Sequence, residues 1–414
     1  MQEAKTLEQG SAEVLDKLKA QIAHNYTIPF YRRRMDEWGM KPEDIRSFDD
    51  FRRIPLMKRE DQVASIDEDP PLGSLWDPDT VLITHTPAPG IGLVTEYHTR
   101  ADMDACAVAV AKRLAAAGVT EEDIVVINSS YHLVISGHTG QRAFEELGAK
   151  VLPLGPGETE RQVEIINRLG ATVLFGFPSY CLKLAEAGAK GRIRIMIAGG
   201  EPFSSIEGRR EQVKNAFGGN ITAVDLYGLS GFNVVAMENK QENGMRILQD
   251  EVYAEVIDPE TGELLPYGER GELVLTHVNR QAMPFIRFRT GDLTVLDRAS
   301  GEDGDELVLP NGVFGRTGEM YRVKGLKFYP SVIVLCLAGI AGVHPLKYRV
   351  YISRPTGTTD HVKIKVQGDA TKADPEVIKK KLGARLLFEP NEVEIIGEWE
   401  DGPTVVDERG AADR

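Results

Sequence analysis

Thr172-Val-Leu-Phe-Gly-Phe-Pro-Ser-Tyr-Cys-Leu-Lys-Leu184 reads as a strand that runs straight into a helix. Residues 172–177 form an apolar run of strand length. Pro178 stands at the first helical position, where its fixed φ and missing N–H cost nothing. The same unit recurs on both sides. Upstream, residues 158–169 place Val163, Ile166 and Leu169 on one helical face, and residues 151–154 and 123–127 read as strands. Thr99 and Asp102 have capping-box spacing ahead of Met103, Ala107, Val110 and Leu114. Downstream come a strand at 192–198, a helix from about Ser205 and a strand at 221–226. Alternation with a repeat of roughly 22–30 residues predicts a parallel sheet covered by helices.

After Tyr227 the period changes. Residues 252–257, 271–277 and 293–297 alternate between turns such as Asp258-Pro-Glu-Thr-Gly262, which predicts antiparallel strands or a small barrel. Ser300-Gly-Glu-Asp-Gly304 reads as a solvated loop. From Gly315 the pattern resets to a strand pair (347–352, 361–366), a helix (375–387) and a strand (392–396), followed from Asp401 by a polar tail expected to be mobile. The fold class is therefore α/β. Residues 1–315 are expected to form a large domain of helix-covered mixed sheets with a small barrel-like subdomain. Residues 316–414 are expected to form a small, mobile α+β domain.

The chain has 414 residues, 42% hydrophobic and 27% charged. That composition supports a sizeable core and excludes a largely disordered chain. At roughly 100–200 residues per domain it predicts two or three domains. With 49 Lys and Arg against 63 Asp and Glu, the net charge is −14. So acidic a surface repels a phosphate backbone, which argues against nucleic acid as a partner. Cys106, Cys181 and Cys336 lack metal or redox spacing, which fits a reducing compartment. The first residues show no basic and apolar leader, and no run approaches the ~18 uncharged apolar residues of a membrane span. A cytoplasmic protein without a membrane partner is expected.

Several blocks follow one another in a telling order: Thr159-Glu-Arg-Gln-Val163, Pro178-Ser-Tyr180, Gly199-Gly-Glu-Pro-Phe-Ser204 and Asp225-Leu-Tyr-Gly-Leu-Ser230. They continue with Asp258-Pro-Glu-Thr-Gly-Glu263, Gly268-Glu-Arg-Gly-Glu-Leu273, Pro284-Phe-Ile-Arg-Phe-Arg-Thr-Gly-Asp292, Gly315-Arg316 and Lys324-Gly-Leu-Lys-Phe-Tyr-Pro-Ser331. Over residues 15–400 the chain resembles the phenylacetate–CoA ligase branch of the adenylate-forming superfamily, which also holds peptide-synthetase adenylation domains and luciferases. The resemblance implies that Gly200, Glu201 and Pro202 sandwich a purine against Tyr227 and Gly228. It implies that Asp292 accepts ribose hydroxyls and that Arg316 contacts ribose or phosphate. Lys324 and Gly325 lie where the family's C-terminal domain meets the thioester partner. The loop 130–138, with Tyr131 and Gly137, would line an acyl or aryl pocket together with Tyr180 and Ser230.

Parts of the family's ATP chemistry are missing. The family's phosphate loop uses hydroxyls, glycine N–H groups and a lysine. Here the stretch is His85-Thr-Pro-Ala-Pro-Gly-Ile-Gly92, in which Pro87 and Pro89 lack an N–H, Ala88 lacks a hydroxyl and Ile91 lacks charge. Gly231 stands where the family has a metal-holding glutamate, and Gly318 where it usually has an acidic residue. The tail from Glu400 to Arg409 has no lysine to match the family's catalytic one. Losing one preorganised donor or charge costs ~10²–10³ in rate, and these all act on the same transition state. ATP and Mg²⁺ are therefore in doubt, and no tightly bound metal is expected.

What remains fits a substrate that arrives activated, as a coenzyme A thioester. His138, His132 and His85, with Cys181 as an acyl-accepting thiol, are the candidate catalytic groups. A satisfied polar residue is the alternative reading of each histidine, and a small buried hydrophobe that of Cys181. The leading function is ATP-independent transfer of an acyl group from CoA or a carrier to a thiol or amine. The alternatives are an AMP-forming aryl or acyl acid–CoA ligase and a non-catalytic acyl-CoA or nucleotide-binding homologue. A small aromatic or aliphatic acyl substrate is the expected partner; an acyl carrier protein and a homodimer stay open.

Overall fold

The computed structural model describes residues 12–88, 92–301, 304–317, 321–324, 326–328, 330, 332–337, 339–355, 359–386, 388–400 and 402–409. Pro89, Ile91, Gly318 and Gly325 lie outside the described residues. The chain forms two compact units. The larger takes residues up to Glu201, Val213–Thr290 and Thr294–Gly312; the smaller takes Pro202–Gln212, Gly291–Leu293 and residues from Val313 onward.

In the larger unit, helices α1 (Ala12–Thr27), α2 (Pro29–Glu37), α3 (Phe48–Arg52) and α4 (Arg59–Glu68) precede a hairpin of β1 (Thr80–Ala88) and β2 (Gly92–Thr99). Next come α5 (Arg100–Ala116), β3 (Ile124–Ile127), α6 (Ser136–Glu146), β4 (Lys150–Pro153), α7 (Thr159–Leu169), β5 (Val173–Gly176), α8 (Pro178–Glu186) and β6 (Ile195–Gly199). After α9 (Arg209–Ala216) the chain enters β7 (Thr222–Leu229), β8 (Asn233–Met237), β9 (Met245–Ile247), β10 (Val252–Ile257), β11 (Arg270–His277), β12 (Phe288–Val295), β13 (Asp297–Gly301) and β14 (Gly304–Leu309), with residues 209–212 of α9 and 291–293 of β12 belonging to the smaller unit. One nine-stranded sheet has the order β13-β14-β9-β8-β7-β6-β5-β3-β4. It is parallel from β4 to β7 and antiparallel from β8 outward.

Local chemistry sets these elements. Thr99 Oγ1 accepts the Asp102 N–H at 3.0 Å and starts α5. Gly170, with φ +63°, ends α7 in the left-handed conformation. Gly140 leaves room for the Phe175 ring, 2.6 Å from where a Cβ would stand, so α6 lies close on the sheet. Val125, Ile127, Val173, Ile195 and Ile197 are buried in the same cluster as Leu114 and Phe144.

Several expectations need correction. The helix expected from Ser205 begins at Arg209, because Gly208 has φ +76°, outside helical space. The solvated loop 300–304 is the end of an antiparallel hairpin that pairs Ser300 with Asp305 and Gly301 with Gly304. Residues 85–88 are not loop: Thr86 pairs with Val94 and Ala88 with Gly92 in the β1–β2 hairpin.

The smaller unit holds β15 (Gly315–Arg316), β16 (Tyr321–Val323), β17 (Leu326–Phe328), α10 (Val332–Leu337), β18 (Val343–Ser353), β19 (His361–Gly368), α11 (Pro375–Leu386), β20 (Glu392–Ile396) and β21 (Val405–Asp407). Its sheet has the order β20-β19-β18-β21. Ile378 and Leu382 on α11 bury against Val350, Ile352, Val362 and Ile364. Within the tail expected to be mobile, Asp401 and residues 410–414 lie outside the described residues, while Val405–Asp407 form β21, parallel to β18. A buried Arg409 holds it: the guanidinium reaches Asp407 at 2.8 Å and Asp360 at 3.3 Å. Asp360 also accepts the Lys324 N–H at 2.7 Å and Arg354 at 2.6 Å. Burial alone would raise the Asp360 carboxyl, but these donors outweigh it and hold it below the usual carboxylate range.

Candidate functional site

His132 lies in the loop between β3 and α6, and His138 in the first turn of α6, so residues 136–138 of the expected loop are helix. Gly137 donates its N–H to Ser130 O at 2.9 Å, and a Cβ there would stand 2.6 Å from that oxygen, so the close turn requires glycine. The turn sets His138 edge-on to the Tyr131 ring, 5.3 Å between centroids, with Nε2 3.2 Å from Tyr131 O. The Tyr131 hydroxyl is buried with no hydrogen-bond partner among the described residues, and burial pushes it up to about 12. Strand β1 meets this loop where the His85 N–H donates to Leu133 O at 2.7 Å. The His85 ring lies 3.2 Å from Thr95 Oγ1. His132 is exposed. The fold thus brings the segments of His85, His132 and His138 to one region.

Cys181 is corrected. It is fully buried on α8, and burial, with a smaller effect from Glu201, pushes its thiol up to about 12. A buried neutral thiol is a core residue rather than an acyl acceptor. Tyr180 is committed too: its hydroxyl donates to Gly157 O and accepts the Gly157 N–H at 3.2 Å, pinning the turn before α7.

The purine-contact candidates have structural occupations. The Glu201 carboxylate accepts the Ser179 N–H at 3.1 Å and hydroxyl at 2.6 Å, where its charge suits the start of α8. Gly200 has φ +80°, and a Cβ there would meet Phe177 at 2.6 Å, so a protein ring rather than a ligand accounts for the glycine. Tyr227 is half-buried, and Gly228 and Pro202 are exposed. In the smaller unit Asp292 pairs with Arg316 across β12 and β15, with Nε 2.8 Å from Oδ1. Lys324 has φ +50° and directs Nζ to Glu389 O at 3.1 Å.

Sequence reasoning missed a buried polar cluster beneath the β1–β2 hairpin. Glu96 and His98 are fully buried on β2. Glu96 accepts hydroxyls from Thr84, Thr86 and Ser230. Burial, followed by the Arg280 charge and His138, lowers His98 to about 3 and keeps it neutral. The available signal was Glu96-Tyr-His98 within an otherwise strand-like segment: a period of two puts both polar side chains on one face. Among the described residues no group of three or more His, Cys, Asp or Glu is arranged to hold a metal, and no helix is long and apolar enough to cross a membrane.

The family model described as AMP-binding enzyme matches residues 143–280. The chain is similar to the phenylacetate–coenzyme A ligase of Thermus thermophilus, 33% identical over 365 residues that cover 85% of this chain and 80% of the relative. The enzyme of the same name from Escherichia coli is 31% identical with the same coverage. Among solved structures, 2-hydroxyisobutyryl-CoA ligase in its postadenylation state aligns with TM-score 0.80 and 26% identity, over 96% of this chain and 89% of that one. Its open form with 2-HIB-AMP and CoA aligns with TM-score 0.78 and 25% identity, over 95% and 91% of the two chains. Sequence likeness over most of both chains and fold likeness agree: the chain belongs to the phenylacetate–coenzyme A ligase family of the adenylate-forming enzymes.

Proposed function

We propose that this protein is an acyl- or aryl-thioester enzyme that takes its acyl group already activated on coenzyme A or a carrier and transfers it without ATP. The observation that carries the reading is Gly231. It stands where the family resemblance calls for a metal-holding glutamate, and a Cβ there would stand 2.5 Å from the ring of Phe285. Nearby, Pro87 and Ala88 occupy paired strand positions in place of a donor-rich phosphate loop. The balanced reaction is R–CO–S–CoA plus H–X giving R–CO–X plus CoA–SH, with a thiol or an amine as H–X. His138 is the group on the 130–138 segment suited to take the proton from X as the C–S bond breaks. Tyr227 and Gly228 offer a half-buried aromatic face to an adenine. In the smaller unit, Arg316 is the proposed ribose or phosphate contact, with Asp292 to orient it, and Lys324 faces the thioester partner.

A second reading, the AMP-forming aryl or acyl acid–CoA ligase, is favoured by the relatives, which are CoA ligases over most of their length. Pyrophosphate exchange with a panel of aryl and short-chain acids, together with calorimetry against ATP–Mg²⁺, separates the two. The transfer reading expects no exchange and no measurable ATP binding, with acyl-CoA still raising the melting temperature. Micromolar ATP affinity with acid-stimulated exchange restores the ligase.

A further inference from the structure

Glu96 takes part in none of the roles above. Its carboxylate accepts Thr84 Oγ1 at 3.2 Å and Thr86 Oγ1 at 2.9 Å from the facing strand, and Ser230 Oγ from the end of β7. Arg59 on α4 donates to Ser230 Oγ and Ser230 O, each at 3.4 Å. Behind Thr84, His98 Nδ1 accepts from Arg280 at 3.0 Å, so Nε2 carries the proton and donates to Thr84 Oγ1 at 2.9 Å. The Thr84 proton is thereby left for Glu96. Hydroxyls from β1 and from the end of β7, backed by a guanidinium, converge on one acceptor-only group, which is how proteins hold an anion. Here the anion is a side chain of the same chain.

We propose that Glu96 is an internal anion that occupies a phosphate-type receptor and closes it to pyrophosphate and to the phosphates of ATP. The proposal rests on the ATP-independent reading and supplies a physical cause for it. A carboxylate in this seat consumes the hydroxyl donors and repels any second anion that approaches them. Thr86 and Ser230 are only half-buried, so they keep a side on which an anion can arrive once Glu96 is removed.

The test is calorimetry on the full chain with inorganic pyrophosphate and with ATP–Mg²⁺, comparing wild type with Glu96→Gln and Glu96→Ala. The glutamine keeps shape and one acceptor oxygen while removing the charge; the alanine opens the volume. A thermal melt of each variant establishes that it is folded. Wild type is expected to show no measurable ATP–Mg²⁺ binding and at most weak pyrophosphate binding, and each variant to bind pyrophosphate at least ~10-fold more tightly than the wild-type value or detection limit, the change that a weakened like-charge contact gives. Adding Ser230→Ala to Glu96→Ala should reverse the gain. Folded variants that bind no better than wild type overturn the proposal and leave the ATP-independent reading standing. Wild type that binds ATP–Mg²⁺ overturns that reading, and loss of this binding in Glu96→Gln overturns the proposal as well.

Discussion

Gly231 and Phe285 leave no space for a side chain between them: a Cβ on Gly231 would stand 2.5 Å from Phe285 Cε2, and the Gly231 φ is +88°. Phe285 cannot swing aside, because it is fully buried and stacked on Phe288 at 4.8 Å. Gly231→Glu therefore cannot simply restore the family's acid. The left-handed backbone costs about 1–3 kcal/mol for a non-glycine residue, and overpacking against Phe285 adds about 1–3 kcal/mol more. Guanidinium denaturation should show this loss, and the variant should show no pyrophosphate exchange. Exchange by a stably folded Gly231→Glu protein would mean that one residue separates this chain from ligase chemistry.

Cys181→Ala should keep wild-type turnover and lose about 1 kcal/mol of stability, the worth of a small buried apolar group. With burial pushing the Cys181 thiol well up, little thiolate forms at pH 8, so iodoacetamide should label the native protein at Cys181 very slowly. A folded alanine variant without activity would return the thiol to the mechanism.

His138→Leu removes the contact to Tyr131 O and the edge-on ring pair, each worth about 1 kcal/mol. The expected result is a fold preserved by circular dichroism, with acyl transfer lowered by about 10²-fold, as for a lost general base. Unchanged transfer with an altered melting temperature would make the residue structural.

Arg409→Ala should destabilise the smaller unit by about 3 kcal/mol, since it leaves buried Asp360 and Asp407 short of a partner. The sign with pH follows from Asp360. Its folded carboxyl is held low, so its stabilisation is complete above the ordinary value near ~3.9 and disappears as pH falls through the folded value. Hydrogen exchange at the Lys324 amide, which donates to Asp360, should accelerate in the variant at neutral pH and in wild type only in acid.

Most strands and helices between residues 99 and 230 were legible because short apolar runs, Pro178 and the Thr99 cap are local signals, but helix α6 (Ser136–Glu146) was not read. The hairpin at 297–309 and strand β21 were not: their polar residues resemble loops until partners distant in sequence, β9 and β18, supply hydrogen bonds. In the candidate site, Gly137 and His138 were assigned to a pocket loop through the resemblance alone, whereas Ser136–Glu146 is helix α6. The burial of Cys181 depends on how α8 packs. The Glu96 cluster depends on Ser230, 134 residues away in the chain. Pairings of that kind leave only an isolated charge in a strand as their trace.

Strand β21 gives synthesis a direction. Residues 343–353 of β18 leave the ribosome with one edge covered soon by β19, while the other waits for residues 405–407. At ~5–20 residues per second, that edge stays bare for several seconds. A nascent chain paused in this interval exposes a strand rich in Val, Tyr and Ile, and is the form of the protein most open to chaperone capture or to pairing with a neighbouring chain.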